Sequence, residues 1–291
     1  ISGNTYNFGI LASSFIHYTG ASNLISSFVH DIDTSNLING KPIYYMKNCS
    51  DLSINPSTFP SVGYLALISC VNVTVESLNL TNNYNGLLLV DIKNSTVRNN
   101  TFKNNLRGID IIDSSNNIIQ GNNVTDNNWM GISLIHSPKN RFRENNLVGN
   151  QLNFKVSGDY LSDFLQDIDL SNTVNGKIMR YLINCTDLVV NPSALDNTGY
   201  LAFVNCYNIT AENFSLENNE LLVAFTQNSS IIENTISGEV SLTYSSFINF
   251  TGNIIMNGES GISIYHSDNN TVAKNNMVQN REYGIRLQAS S

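Results

Sequence analysis

Residues 131–150 read GISLIHSPKNRFRENNLVGN, and residues 261–280 read GISIYHSDNNTVAKNNMVQN. Laid over each other, both open on a glycine and run through a short alternating strand into an Asn-rich turn. A second short strand and another turn follow. Glycines that open an apolar strand recur at Gly63, Gly86, Gly108 and Gly131, and later at Gly199, Gly261 and Gly284. Neighbouring starts lie about 21–23 residues apart, the length of one coil of a solenoid. In Gly108-Ile109-Asp110-Ile111 the period is two, so Ile109 and Ile111 point one way and Asp110 the other. No 3.6-residue period is present, and β-branched residues dominate the strands. Asn-Asn pairs suit turns because asparagine tolerates positive φ. Turns stacked about 4.8 Å apart let side-chain amides bond up the column, so residues of the Asn116/Asn117 type predict an internal ladder. The pattern therefore predicts an all-β, right-handed parallel β-helix. Leucine-rich repeats and propellers are excluded by the missing leucine consensus and the missing ~40-residue blade period.

Working outward, a longer repeat contains the shorter one. DIDTSNLINGK (31–41) matches DIDLSNTVNGK (167–177), KNCSDLSINPS (47–57) matches INCTDLVVNPS (183–193), and GYLALISCVNVTVES (63–77) matches GYLAFVNCYNITAEN (199–213). A single offset relates all three pairs, carrying Asp31 to Asp167, Cys49 to Cys185 and Gly63 to Gly199. The expected organisation is one continuous β-helix over 1–291, with internal repeats at 27–150 and 163–291 and with 1–26 related to the inter-repeat coil 147–162.

Composition sets the chemical character. Charged residues make up only 13% of the 291, and 48 asparagines carry much of the surface. The net charge is −8 and the pI about 4.9, with the basic residues scattered. This argues against nucleic acid and anionic membrane surfaces as partners. No run approaches the ~18 apolar residues of a membrane span. The chain starts at Ile1 without an apolar leader, which reads as a mature or excised segment.

The coil pattern G-I-x-I/L-x-x-S-x-x-N, continued by N-x-x-N turns, resembles the parallel β-helix repeat of NosD-like proteins. The segments DID-x-S-N, N-C-S/T-D and G-Y-L-A resemble a form found in surface proteins of methanogenic archaea. The resemblance implies an extracytoplasmic β-helix of the cell surface or envelope. NosD itself is associated with copper delivery to a periplasmic reductase. A matching Cys/His/Met cluster is missing here, so that role is not carried over and no cofactor is expected.

Cys49 and Cys70 are one coil apart in sequence, and so are Cys185 and Cys206. Neighbouring coils place such pairs about 5 Å apart at Cα, within disulfide range, and an oxidising exterior favours the bond. Buried free thiols are the alternative. Asn-x-Ser/Thr sequons occur at Asn48, Asn72, Asn79, Asn94, Asn99, Asn123, Asn184, Asn208, Asn213, Asn228, Asn249 and Asn269. Composition alone accounts for about nine. A few are expected to carry glycans, and any sequon inside an asparagine ladder would be inaccessible.

The candidate catalytic set is Asp91, Asp113 and His136, each five residues after a strand-opening glycine, with Asp110 on the outward side of the same strand region. Carboxylates ~5 Å apart on adjacent coils suit the acid and base of a polysaccharide hydrolase or lyase. The second copy reads Phe225, Tyr244 and His266 there, Asp is favoured in turns for conformational reasons, and Trp129 is isolated. Catalysis is therefore the lesser reading. Asp31/Asp33 and Asp167/Asp169 would suit Ca2+ if carbonyl ligands converged, but a duplicated turn is preferred. His17 and His30 show no ligand spacing.

Neither end carries an amphipathic capping helix, and residues 1–8 resemble 147–154. The expected function is a non-catalytic structural subunit of an archaeal envelope (sheath, surface layer or filament). Its partners would be copies of itself, head-to-tail or lateral, together with cell-surface glycans. A polysaccharide-active enzyme and a glycan-binding adhesin are the alternatives.

Overall fold

A computed structural model describes residues 1–11 and 25–288. His17 and half of the 1–26 segment related to 147–162 lie outside the described residues. The chain divides into two compact units, Ile1–Asp167 and Ile168–Ser291. Each is a right-handed parallel β-helix; in the first unit the four coils from Tyr64 to Val148 each contribute one strand to each of three sheets.

In the first unit, sheet one stacks Lys41–Lys47, Tyr64–Ile68, Asn85–Val90, Arg107–Ile112, Met130–Ile135 and Leu152–Ser157. All these pairings are parallel, with partners such as Leu87, Ile109 and Ile132 in one column. Sheet two stacks Val75, Val97, Ile119 and Phe142, and sheet three stacks Leu80, Phe102, Val124 and Leu147. These columns face inward and are at most 2% exposed. Burying such a side chain contributes roughly 1.5–3 kcal/mol, and in sheets two and three the strand period decides which residue receives it.

The second unit repeats the plan, with two shorter coils. Its sheet one runs Lys177–Ile183, Thr198–Val204, Leu221–Ala224, Thr235–Thr243, Ile254–Tyr265 and Tyr283–Gln288. Leu201 pairs with Leu221 and Leu221 with Val240, whereas Leu87 of the first unit pairs with Ile109. These two coils therefore fall short of the expected length. The shortening is at the corner between sheets three and one, where Thr235–Thr243 bends through without a separate turn. Gly238 makes that bend at φ 143, and a Cβ there would lie 1.9 Å from the Asn219 carbonyl oxygen.

Three corners hold the coils together. At the corner from sheet two to sheet three, the Asn100 backbone N–H donates to Asn122 Oδ1 at 3.0 Å and the Asn122 N–H to Asn145 Oδ1 at 3.1 Å. The side-chain amides extend the same column and also bond to strand carbonyls. Asn83, Asn105, Asn127 and Asn150 do the same between sheets three and one. Between sheets one and two the column is Ser95, Asn117, Asn140 and Gln166. Asn117 is thus a ladder residue, whereas Asn116 is exposed and supplies the left-handed backbone, with φ 58. Strand-opening glycines follow from this packing. A Cβ on Gly108 would lie 2.5 Å from both the Gly131 carbonyl oxygen and Val124 Cγ1.

Sheet one of the first unit is also covered on its outer face. Phe8, Ile10, Ile25, Phe28 and Ile32 pack over Tyr64, Ala66, Ile68, Leu88, Val90 and Ile112. This explains why Tyr64–Ile68 and Leu87–Val90 are apolar throughout instead of alternating.

Candidate functional site

At the corner following sheet one, five consecutive coils of the first unit place Asn48, Ser69, Asp91, Asp113 and His136 in one column. All five have φ between 47 and 53. Each backbone N–H bonds to the carbonyl ending the next coil's strand. The left-handed backbone explains the abundance of Asp and Asn here. The column joins three of the four expected acidic and imidazole groups.

Within it, Asp91 pairs with Lys93 at 2.8 Å. Asp113 has a side chain only 8% exposed, with Oδ1 3.7 Å from His136 Nδ1 and Oδ2 buried without a hydrogen-bond partner. Burial pushes the Asp113 carboxyl up to about 6, His136 opposes the shift, and Asp91 and Asp163 add to it. His136 Nε2 lies 3.3 Å from Asp159 Oδ2. Asp163, on the short helix α1 (Leu161–Phe164), accepts the N–H groups of Asp159 at 3.0 Å and Tyr160 at 3.1 Å. Burial also pushes its carboxyl up. An imidazole between two carboxylates, one of them pushed up by burial, is an arrangement suited to acid–base chemistry.

Asp159 and Asp163 were not among the expected residues. They come from the segment joining the two repeats, which no coil pattern aligns with His136. Gly158 gives the one local clue, since a Cβ there would lie 2.3 Å from Asp163 Cβ.

Asp110 is not part of this cluster. It points outward from sheet one but is only 2% exposed. It binds Arg107 Nη1 at 3.1 Å and accepts the Asn85 amide. Asn85 Oδ1 in turn accepts the Tyr64 hydroxyl and the Ile10 N–H. Arg107 also lies 4.2 Å over the Trp129 ring, so that tryptophan is not isolated. The segment beginning at Tyr6 crosses here, with Tyr84 N–H bonded to the Phe8 carbonyl.

The equivalent column of the second unit is aromatic. Phe225 and Tyr244 stack at 4.8 Å and 16°, and Tyr244 and His266 at 4.9 Å and 2°. These rings present their faces to one another. They continue the ladder principle with aromatic surface in place of amides.

The remaining candidates resolve as structure. Cys49–Cys70 and Cys185–Cys206 are disulfides with Cα separations of 4.6 and 4.7 Å. Asp33 and Asp169 make matching turns, each accepting the backbone N–H of the serine two residues on (Ser35, Ser171) at 3.0 Å. The Ser35 hydroxyl and amide hold Asp33 below the usual carboxylate range. Asp31 pairs with Lys47. Asp167 is held low chiefly by its hydrogen bond from Arg143, and Arg141 pairs with it as well. His30 is exposed, with its ring 6.3 Å from that of Tyr45. Among the described residues, no three His, Cys, Asp or Glu side chains converge to hold a metal ion. No described helix is long and apolar enough to cross a membrane.

The family model "Periplasmic copper-binding protein (NosD)" matches residues 16–174 and 162–291. No curated protein matches the chain in sequence. Among solved structures, the mannuronan C-5 epimerase AlgE4 A-module of Azotobacter vinelandii shows 11% identity and a TM-score of 0.30, over 83% of this chain and 63% of that module. The chain thus spans less than two thirds of that module. PfbA, a surface adhesin of Streptococcus pneumoniae, shows 12% identity and a TM-score of 0.29, over 85% of this chain and 72% of the adhesin. The Agl-KA catalytic domain shows 10% identity and a TM-score of 0.27, over 84% of this chain and 58% of that domain. Copper, named in the family description, does not fit the donors described here. All four cysteines are in disulfides, and His136 and His266 are committed to carboxylates and to a ring stack.

Proposed function

The chain belongs to the NosD family, and from that premise we propose that it is a non-catalytic structural protein of an archaeal cell envelope, a subunit that associates with copies of itself. The observation that carries this reading is the set of polar columns at the coil corners. In both units, buried amides and hydroxyls bond coil to coil, as in Asn100–Asn122–Asn145 and Thr226–Ser245–Ser267. Of the acidic candidates, Asp33, Asp110, Asp167 and Asp169 are each engaged by neighbouring side chains. Two disulfides and a family described as periplasmic support a location outside the cytoplasm. Low charge and a surface of neutral amides favour close lateral packing with like surfaces and with envelope glycans. Electron microscopy of the native material tests this: ordered arrays or filaments support it.

A second reading rests on Asp113, His136 and Asp159, an imidazole flanked by two carboxylates at an outer corner. In that case the protein acts on an envelope polysaccharide by acid–base chemistry. Release of reducing or unsaturated sugars from a polysaccharide panel, abolished in Asp113→Ala, would favour it. Saturable glycan binding without turnover would favour an adhesin instead.

A further inference from the structure

The twelve sequons divide sharply from the ladder asparagines. All twelve sequon asparagines are exposed, and none belongs to the buried corner columns. The cause is the strand period. In Asn-x-Ser/Thr the acceptor and the hydroxyl residue are two apart, so where x is an inward core residue both flanking side chains face solvent. Asn79-Leu80-Thr81 and Asn213-Phe214-Ser215 show this, with Leu80 and Phe214 buried. None of the twelve lies on a strand of sheet one or at the corner leading into it.

Two pairs fall on adjacent coils in the same column: Asn72 with Asn94, and Asn208 with Asn228. Their spacing is that of neighbouring strands, about 4.8 Å, too close for two bulky sugar chains side by side. In each pair one amide is already held. Asn72 Nδ2 donates to Asp51 Oδ1 at 2.6 Å, and Asn208 Nδ2 donates to Asp187 Oδ1 at 2.6 Å. Among the described residues, the side chains of Asn94 and Asn228 make no such bond. The same arrangement occurs in both copies of the repeat, in which Asn72 corresponds to Asn208 and Asp51 to Asp187.

We propose that the chain carries N-linked glycans on the sides formed by sheets two and three and at the corner leading from sheet one to sheet two, and that within the adjacent pairs Asn94 and Asn228 are modified while Asn72 and Asn208 are not. The donor class is a sugar activated by a phosphate or diphosphate at its anomeric carbon. Asparagine Nδ2 forms the bond to C1, the C1–O bond to phosphate breaks with its electron pair on the leaving phosphate, and the amide proton passes to a base. Asp51 and Asp187 select the site by holding the neighbouring amide. The strands of sheet one carry no sequon.

This inference rests on the extracytoplasmic location, and one experiment separates the two. Glycopeptide and disulfide mass mapping is done on the protein isolated from its natural host, beside Asp51→Ala and Asp187→Ala variants expressed there. The expected result is sugar mass on the Asn94 and Asn228 peptides, bare Asn72 and Asn208, and the appearance of sugar on Asn72 or Asn208 in the matching variant. Bare sequons throughout with both disulfides formed would overturn the glycan inference alone. Bare sequons with four free thiols would overturn the location beneath it. Sugar on Asn72 and Asn208 in the unaltered protein would overturn the selection by aspartate.

Discussion

Asparagine has two separate tasks in this chain, and neighbouring residues show the difference. Asn117 Oδ1 accepts the Ser95 N–H at 2.9 Å, while its Nδ2 donates to the Ile92 carbonyl and to Asn140. Asn117→Ala strands these buried partners and should cost about 3 kcal/mol or more. Asn116→Ala removes only an exposed side chain suited to positive φ, at a cost of about 1 kcal/mol. Thermal melts of the two variants should therefore separate by several degrees, with Asn117→Ala the lower. Asp113 offers a test by pH. Its folded carboxyl, at about 6, holds a proton more tightly than the unfolded one near 3.8. Stability therefore falls as pH rises from about 4 to above 6, and the penalty persists at higher pH, on the order of 2–3 kcal/mol. Asp113→Asn should melt above the unaltered protein at pH 8 and level with it near pH 3.5. A pH-independent gap would contradict the burial of that carboxylate. The column of Asp91, Asp113 and His136 was legible because glycine spacing fixes the coil phase. Asp159 and Asp163 were not, because they lie outside the coil repeat and reach His136 only through the fold.

At the scale of the coil, the cysteines acquire a position as well as a bond. Cys49 and Cys70 share a register column with Ile92, Ser114 and Ser137, while Cys185 and Cys206 share one with Thr226, Ser245 and Ser267. In each unit a single column begins with a covalent link and ends in hydroxyls that accept the N–H of the preceding coil. Closing a loop of this length stabilises by about 3 kcal/mol. The Cys49→Ser/Cys70→Ser protein should accordingly be nicked by protease in the 41–70 coil well below the melting temperature of the rest of the unit. Sequence spacing already pointed to the pairing. The aromatic column Phe225–Tyr244–His266 was visible only as a loss of acids, because a residue string does not reveal that neighbouring coils bring ring faces together. The double burial of sheet one was likewise hidden, since its covering residues Phe8 and Phe28 are remote in sequence from the strands they cover.

For the molecule as a whole, the two units share a scaffold and differ in their corner chemistry. Disulfides, Asx turns at Asp33 and Asp169, and polar ladders occur in both units, whereas one column carries acids and the other stacked rings. What both copies retain is the means of holding coils together, which is the expectation for a protein kept for its architecture. The most direct measurement is electron microscopy of the protein in its native envelope and after purification over a range of concentrations. The expected result is a regular array or filament in which the chain is the repeating subunit, re-formed on concentration. Monodisperse single chains at every concentration, with no array in the native envelope, would contradict a structural role.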